Sequence, residues 1–74
     1  MTTHDRMREI IFEVADAAEG GYTARALGAS IVTEADTLPE LREMVRNGVR
    51  CHFGEGEGPA IIRLRYVREE VIDA

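Results

Sequence analysis

One segment of the chain repeats its apolar residues at the period of a helix, and the segments on both sides alternate apolar and polar residues instead. Thr37 and Glu40 have the spacing of a capping box, and Pro39 suits a first helical turn. The pattern predicts one helix from Leu38 to His52. Its apolar stripe comprises Leu38, Leu41, Val45, Gly48, Val49 and His52. A single helix can cover only one face of the sheet that the rest of the chain would form.

Alternating runs predict three strands before this helix and one after it, at 8–14, 22–27, 30–34 and 60–67. The pair Gly20 and Gly21 lies between the first two runs and predicts a β-hairpin. We therefore expect an α+β fold, a two-layer sandwich with the element order β-β-β-α-β. Residues 1–7 are expected to form a disordered lead-in, and residues 8–74 a single domain.

The alternation also assigns the strand residues to two faces. The expected buried face carries Ile10, Phe12, Val14, Ala24, Ala26, Ile62 and Leu64. Tyr22 and Tyr66 share this face and are expected at the edge of the core, with their hydroxyls in water. The opposite face has no second helix to cover it, and carries Ile11, Glu13, Arg25, Leu27, Ile61, Arg63, Arg65 and Val67. One interpretation is a solvated face on which Glu13 pairs with Arg25, and with Arg63 or Arg65. The other is an interface with a partner or a second copy, which the small size of the chain favours.

Net charge and cysteine content limit the kinds of binding partner and metal site that this chain can have. The 74 residues have a net charge of −5, all nine basic residues are arginine, and Cys51 is the only cysteine. A disulfide framework and a cysteine-rich zinc site are excluded. The acidic balance disfavours nucleic acid and favours a basic protein as partner. No segment resembles a membrane span or a signal peptide, so we expect a cytoplasmic protein with a reduced Cys51 and no cofactor.

The residue types that carry catalysis occur without the spacing that catalysis needs. Four carboxylates invite comparison with metal-dependent nucleases of the RNase H type, namely Glu13, Asp16, Glu43 and Glu69; their predicted positions give no reason for them to converge. Cys51 and His52 are adjacent on the helix and point about 100° apart, so they are not expected to form a nucleophile pair. His52, Met44 and Phe53 are expected to pack at the helix. The glycine-rich loop 54–59 lacks the lysine of a phosphate-binding loop.

Two short motifs carry a family resemblance. The hairpin sequence Glu19-Gly20-Gly21-Tyr22-Thr23-Ala24, followed by a third strand and by Thr37-Leu38-Pro39-Glu40-Leu41 at the helix start, resembles the HicB-like antitoxins. The resemblance spans 8–67 and implies a partial RNase H-like fold. It also implies a non-catalytic module that neutralises a small basic RNA-cleaving toxin, HicA, by covering it. The DNA-binding segment of many HicB-like proteins has no counterpart in this sequence, so DNA binding is not expected.

Three functional hypotheses follow. The first is a HicB-like antitoxin that self-associates, most simply as a dimer, and binds a basic HicA-like toxin. The second is an orphan structural or regulatory domain that keeps the fold without a toxin partner. The third is a metal-dependent nuclease, which requires Glu13, Asp16 and Glu43 to meet in space.

Overall fold

The computed structural model describes residues 9–74. In order along the chain, the elements are β1 (Glu9–Asp16), β2 (Tyr22–Ala26), β3 (Val32–Ala35), α1 (Leu38–Phe53) and β4 (Ile61–Val67). The strands form a four-stranded mixed sheet in the order β3-β2-β1-β4. Only the β1–β4 pair is parallel among these strands, because α1 returns the chain to the far side of β1. The predicted α+β class and element order are confirmed.

The β1–β2 hairpin closes through the predicted glycine pair. The Ala17 amide donates to the Gly21 carbonyl at 3.0 Å, and the Gly20 amide donates to the Ala17 carbonyl at 3.1 Å. Gly21 has a φ of +84°, and a Cβ built there would lie 2.7 Å from the carbonyl oxygen of Ala35. Glycine is therefore required here both by backbone conformation and by the closeness of β3.

The helix α1 begins as the sequence predicts and ends one residue later than expected, at Phe53. The Thr37 hydroxyl accepts from the Glu40 amide at 3.3 Å, and it also lies 3.4 Å from the Glu40 carboxylate, to which it can donate. The Glu40 side chain thus contacts the hydroxyl of Thr37, whereas a full capping box would place it on the Thr37 amide. At the other end the Gly54 amide donates to Arg50 at 2.8 Å.

The core lies between α1 and the inner face of the sheet. Its buried side chains are Ile10, Phe12, Val14, Ala24, Ala26, Ile31, Leu41, Val45 and Val49. Gly48 lets the helix approach the sheet closely, since a Cβ there would lie 3.0 Å from the Cγ2 of Ile31. Because α1 packs mainly on β2 and β3, the edge strand β4 is only partly covered.

Several local predictions need correction. Strand β3 begins at Val32 rather than at position 30, and β2 ends at Ala26. His52 and Met44 are exposed instead of packed, because both lie outside the strip of α1 that faces the sheet. Phe53 does pack against the core, as predicted. The predicted lead-in 1–7 and its neighbour Arg8 lie outside the described residues.

Candidate protein-binding surfaces

The face of the sheet opposite α1 carries all eight residues that the sequence assigned to it. Its members are Ile11 and Glu13 on β1, Arg25 on β2, Leu27 just beyond it, and Ile61, Arg63, Arg65 and Val67 on β4. We call this set the outer face. No element in the described part of the chain packs over it. The outer face therefore presents apolar and charged side chains together to the surroundings.

Register places Glu13 at the centre of the outer face. It lies opposite Arg25 on β2 and opposite Arg65 on β4. Among residues 9–74, however, neither arginine comes within ion-pair distance of Glu13. The predicted neighbours are correct for these two arginines, but a formed ion pair is not part of the described structure.

Arg63 pairs with a different carboxylate from the one predicted. Its guanidinium donates to both carboxylate oxygens of Glu9, at 2.7 Å and 3.0 Å. The parallel register sets Arg63 opposite Ile11 and Glu9 opposite Ile61, so Arg63 reaches the carboxylate one diagonal step away on the same face. The hydrogen bond from Arg63 lowers the pKa of Glu9 below its ordinary value of 4.5.

Apolar side chains surround these charges. Leu27 and Val67 are each 42% exposed and Ile61 is 54% exposed, while Ile11 is half-buried between the neighbouring strands. The Leu27 amide donates to the Ile11 carbonyl at 2.9 Å, which continues the β1–β2 ladder and holds Leu27 beside Ile11. Interfaces are enriched in arginine and have apolar centres, so the arginines and the apolar side chains of the outer face fit an interface, whereas its carboxylates are not typical of one.

A second surface lies at the start of α1 and was not recognised in the sequence. It is a groove of about 660 Å³ between the hairpin turn, the end of β3 and the first turns of α1. Five acidic residues contribute to its lining, together with Tyr22 and Met44: Glu19, Glu34, Asp36, Glu40 and Glu43. The Glu43 carboxylate is paired with Arg46, and the register sets Glu34 opposite Thr23, on the face of the sheet away from α1. We call it the acidic groove. It combines negative charge with a partly exposed apolar surface, so it suits a basic side chain or segment with an aliphatic stem.

The carboxylates considered for metal catalysis are on different parts of the molecule. Glu13 is on the outer face, Asp16 ends β1, Glu43 is on α1 and Glu69 follows β4. Within the described residues, no three histidine, cysteine or acidic side chains are grouped so that they could hold a metal ion.

Cys51 and His52, which are adjacent on α1, both lie at the surface. Cys51 is an exposed free thiol. His52 is exposed as well, and its ring meets the Phe53 ring edge-on at a centroid distance of 4.8 Å.

In the described part of the chain, no helix is both long and apolar enough to cross a membrane.

Comparisons with known proteins show the family of the chain. No protein-family model and no solved structure matches the chain. A UPF0150 protein of Archaeoglobus fulgidus is 51% identical over 57 residues, which cover 77% of this chain and 85% of that protein. A UPF0150 protein of Thermotoga maritima is 37% identical over 68 residues, which cover 92% of this chain and 96% of that protein. The chain therefore belongs to the UPF0150 family.

Proposed function

We propose that this chain is a non-catalytic protein-binding module of the HicB-like type. It has a partial RNase H-like fold and acts in the cytoplasm. There it neutralises a small basic RNA-cleaving toxin by covering the toxin. The acidic groove carries the proposal. Its acidic residues come from the hairpin turn, the end of β3 and α1, and they line the same groove as Tyr22 and the exposed Met44. A basic partner can gain both charge pairing and apolar contact there, while an RNA strand would be repelled.

The outer face supports the second part of the proposal, which is self-association as a dimer. Glu9 and Glu13 offset Arg25, Arg63 and Arg65 there, so the face has little net charge to oppose a second copy. An isologous contact would place the exposed Leu27, Ile61 and Val67 against their equivalents. Burial of this face is also an effective way for a small chain to gain stability.

Binding to the acidic groove can be tested once the genes beside that of this chain are searched for a basic protein of similar size, and the absence of such a gene contradicts the proposed toxin partner. The purified chain is titrated with that protein by calorimetry at low and high salt. We expect tight binding that weakens with salt, and at least about tenfold weaker binding for Glu19→Arg, which reverses a charge in the hairpin turn. The matched control Glu55→Arg makes the same charge change in the exposed 54–60 loop and should bind normally. Equal binding by both variants, or no complex at low salt, contradicts the proposal.

Self-association through the outer face has its own test. Leu27→Glu adds a charge beside Ile11, within the proposed contact. Because this charge opposes the outer-face contact, the mass measured by light scattering should fall. Met44→Glu changes an exposed apolar residue on the helix layer and should leave the mass unchanged. A mass that is insensitive to Leu27→Glu would remove the outer face as the contact.

A further inference from the structure

The edge of β4 away from β1 is unpaired in the described part of the chain, and the strand is followed by residues 68–74, which we call the tail. In the described part of the chain, β4 pairs only with β1. The residues after Val67 form no regular structure, and among them Val71 is 93% and Ile72 is 77% exposed. No other large hydrophobic residue in the described part is as exposed as these two. An open edge beside an apolar tail is a template for adding a strand.

The tail and the helix side of β4 have complementary chemistry. The segment 69–73 reads Glu-Glu-Val-Ile-Asp, three carboxylates around two aliphatic residues. Because α1 leaves β4 partly uncovered, a groove of about 240 Å³ opens beside it, lined by Arg42, Val45, Arg46, Ile62 and Leu64. Two arginines over an apolar floor suit an acidic and aliphatic segment. The tail follows β4 directly, so it cannot turn back onto the edge of its own strand without a reversal at the strand end.

We propose that the tail of each copy adds as an antiparallel strand to the β4 edge of a second copy, around a twofold axis at Val67. Residues that are equally far from Val67 on its two sides then lie opposite each other. Arg65 therefore lies opposite Glu69 of the second copy, and Leu64 lies opposite its Glu70. Glu69 then extends the outer face and Glu70 enters the groove between Arg42 and Arg46. Ile62 lies opposite Ile72 of the second copy, and Val67 lies opposite its own equivalent.

Neighbouring registers are less favourable. A twofold axis at Leu64 sets Arg63 opposite Arg65, and one at Arg65 sets that arginine opposite itself. An axis at Tyr66 keeps an Arg–Glu pair, between Arg63 and Glu69, but it sets Ile72 opposite Ala60, outside β4. An axis at Arg68 sets that arginine opposite itself. The axis at Val67 pairs Ile72 with Ile62 and Arg65 with Glu69, and it sets Glu70 beside the two arginines of the groove. Registers shifted by an odd number of residues would turn the apolar side chains to the wrong face.

This edge contact is separate from the outer face and does not depend on the proposed toxin binding. The outer face stacks two sheets, whereas the edge contact continues one sheet into the next. Each contact closes on its own twofold axis, and the two contacts together build a closed tetramer when these axes intersect at right angles, which is the arrangement that we propose. The wild-type chain should then be a tetramer in light scattering, Leu27→Glu should leave the edge dimer, and a tail variant should leave the face dimer.

Cysteine cross-linking of the full chain tests the register. All variants carry Cys51→Ser, which removes the exposed native thiol, and Leu27→Glu, which removes the proposed outer-face contact that would also bring Val67 near its equivalent. Residues directly opposite have Cα atoms about 4.5–5.5 Å apart, within the reach of a disulfide, whereas diagonal neighbours at about 7–8 Å are beyond it. Val67→Cys should therefore form a disulfide-linked dimer on mild oxidation, while Tyr66→Cys and Arg65→Cys should not. Cross-linking at Tyr66 or Arg65 instead, or at none of the three, overturns the register.

Charge reversal tests the role of the tail. Glu70→Arg should raise the dissociation constant of the edge dimer about tenfold in the Leu27→Glu background, and adding Arg46→Glu should restore most of the affinity. Glu55→Arg is the control with the same change of net charge. Circular dichroism confirms that each variant is folded before its mass is measured. If Glu70→Arg and Glu55→Arg give the same dissociation constant, the tail does not form the contact.

Discussion

Arg63 on the edge strand β4 donates hydrogen bonds to both carboxylate oxygens of Glu9 at the start of β1, and its Nε lies 2.7 Å from one of them. The two residues are far apart in the chain and meet because β1 and β4 run parallel. This contact ties the last strand to the first at the edge of the outer face. It also lowers the pKa of Glu9.

The stabilisation from this pair should depend on pH. A carboxyl group whose pKa is lowered by folding stabilises the folded state above its unfolded pKa, and this contribution is lost as the pH falls through the folded pKa. Glu9→Gln should therefore lower the free energy of unfolding at neutral pH, and the difference from wild type should vanish well below pH 4.5. Urea unfolding across that range measures it, with Glu55→Gln as the control. A difference that persists in acid would show that Glu9 contributes through packing.

The two turn glycines should respond differently to alanine. Both have positive φ, so alanine at either position costs about 1–2 kcal/mol of backbone strain. A Cβ at Gly20 meets nothing within 4 Å, whereas one at Gly21 would lie 2.7 Å from the Ala35 carbonyl oxygen. Gly21→Ala should therefore lower the free energy of unfolding clearly more than Gly20→Ala. Equal losses in chemical denaturation would mean that β3 moves aside easily.

Replacement of Gly48 should expose two opposing effects. Alanine in a helix interior is favoured over glycine by about 1 kcal/mol. The added Cβ would, however, lie 3.0 Å from the Cγ2 of Ile31, which is tighter than ordinary contact. We expect Gly48→Ala to change stability by less than about 0.5 kcal/mol in the wild type, which is half the propensity gain. It should stabilise more in an Ile31→Leu background, which lacks that methyl group, than in Ile31→Val, which keeps it; equal effects would contradict the contact.

The helix start offers a simpler test. Thr37 accepts a hydrogen bond from the Glu40 amide, which would otherwise lack a partner in the first turn. Thr37→Ala should cost about 1 kcal/mol of unfolding free energy, and Thr37→Ser should keep most of it. Thermal unfolding monitored by circular dichroism measures both. A serine variant as unstable as the alanine variant would assign the effect to the threonine methyl group.

The sequence predicted the outer face well because its signal is local. Alternation along each strand assigns Ile11 and Val67 to the face opposite Phe12 whatever the strands pair with. The same alternation could not choose the partner of Arg63, since a shift of two residues keeps every side chain on its face. Glu13 and Glu9 were therefore equivalent by pattern, and only the parallel register selected Glu9.

The acidic groove was missed for a different reason. Its carboxylates come from the hairpin turn, β3 and the start of α1, which are separate in sequence and each unremarkable as a charged surface segment. The signal that could have found it is the predicted topology, which brings the Gly20–Gly21 turn close to the helix start.

By itself, the sequence determined which residues form strands and helix and which side of each faces the core, because periodicity and capping act over a few residues. The tertiary structure decided what lies beside what. It placed β4 parallel to β1 at the edge of the sheet and α1 over β2 and β3. It therefore also decided that the β4 edge, the outer face and the acidic groove remain open. These features depend on contacts between distant segments, whose geometry follows from packing the whole chain around one core.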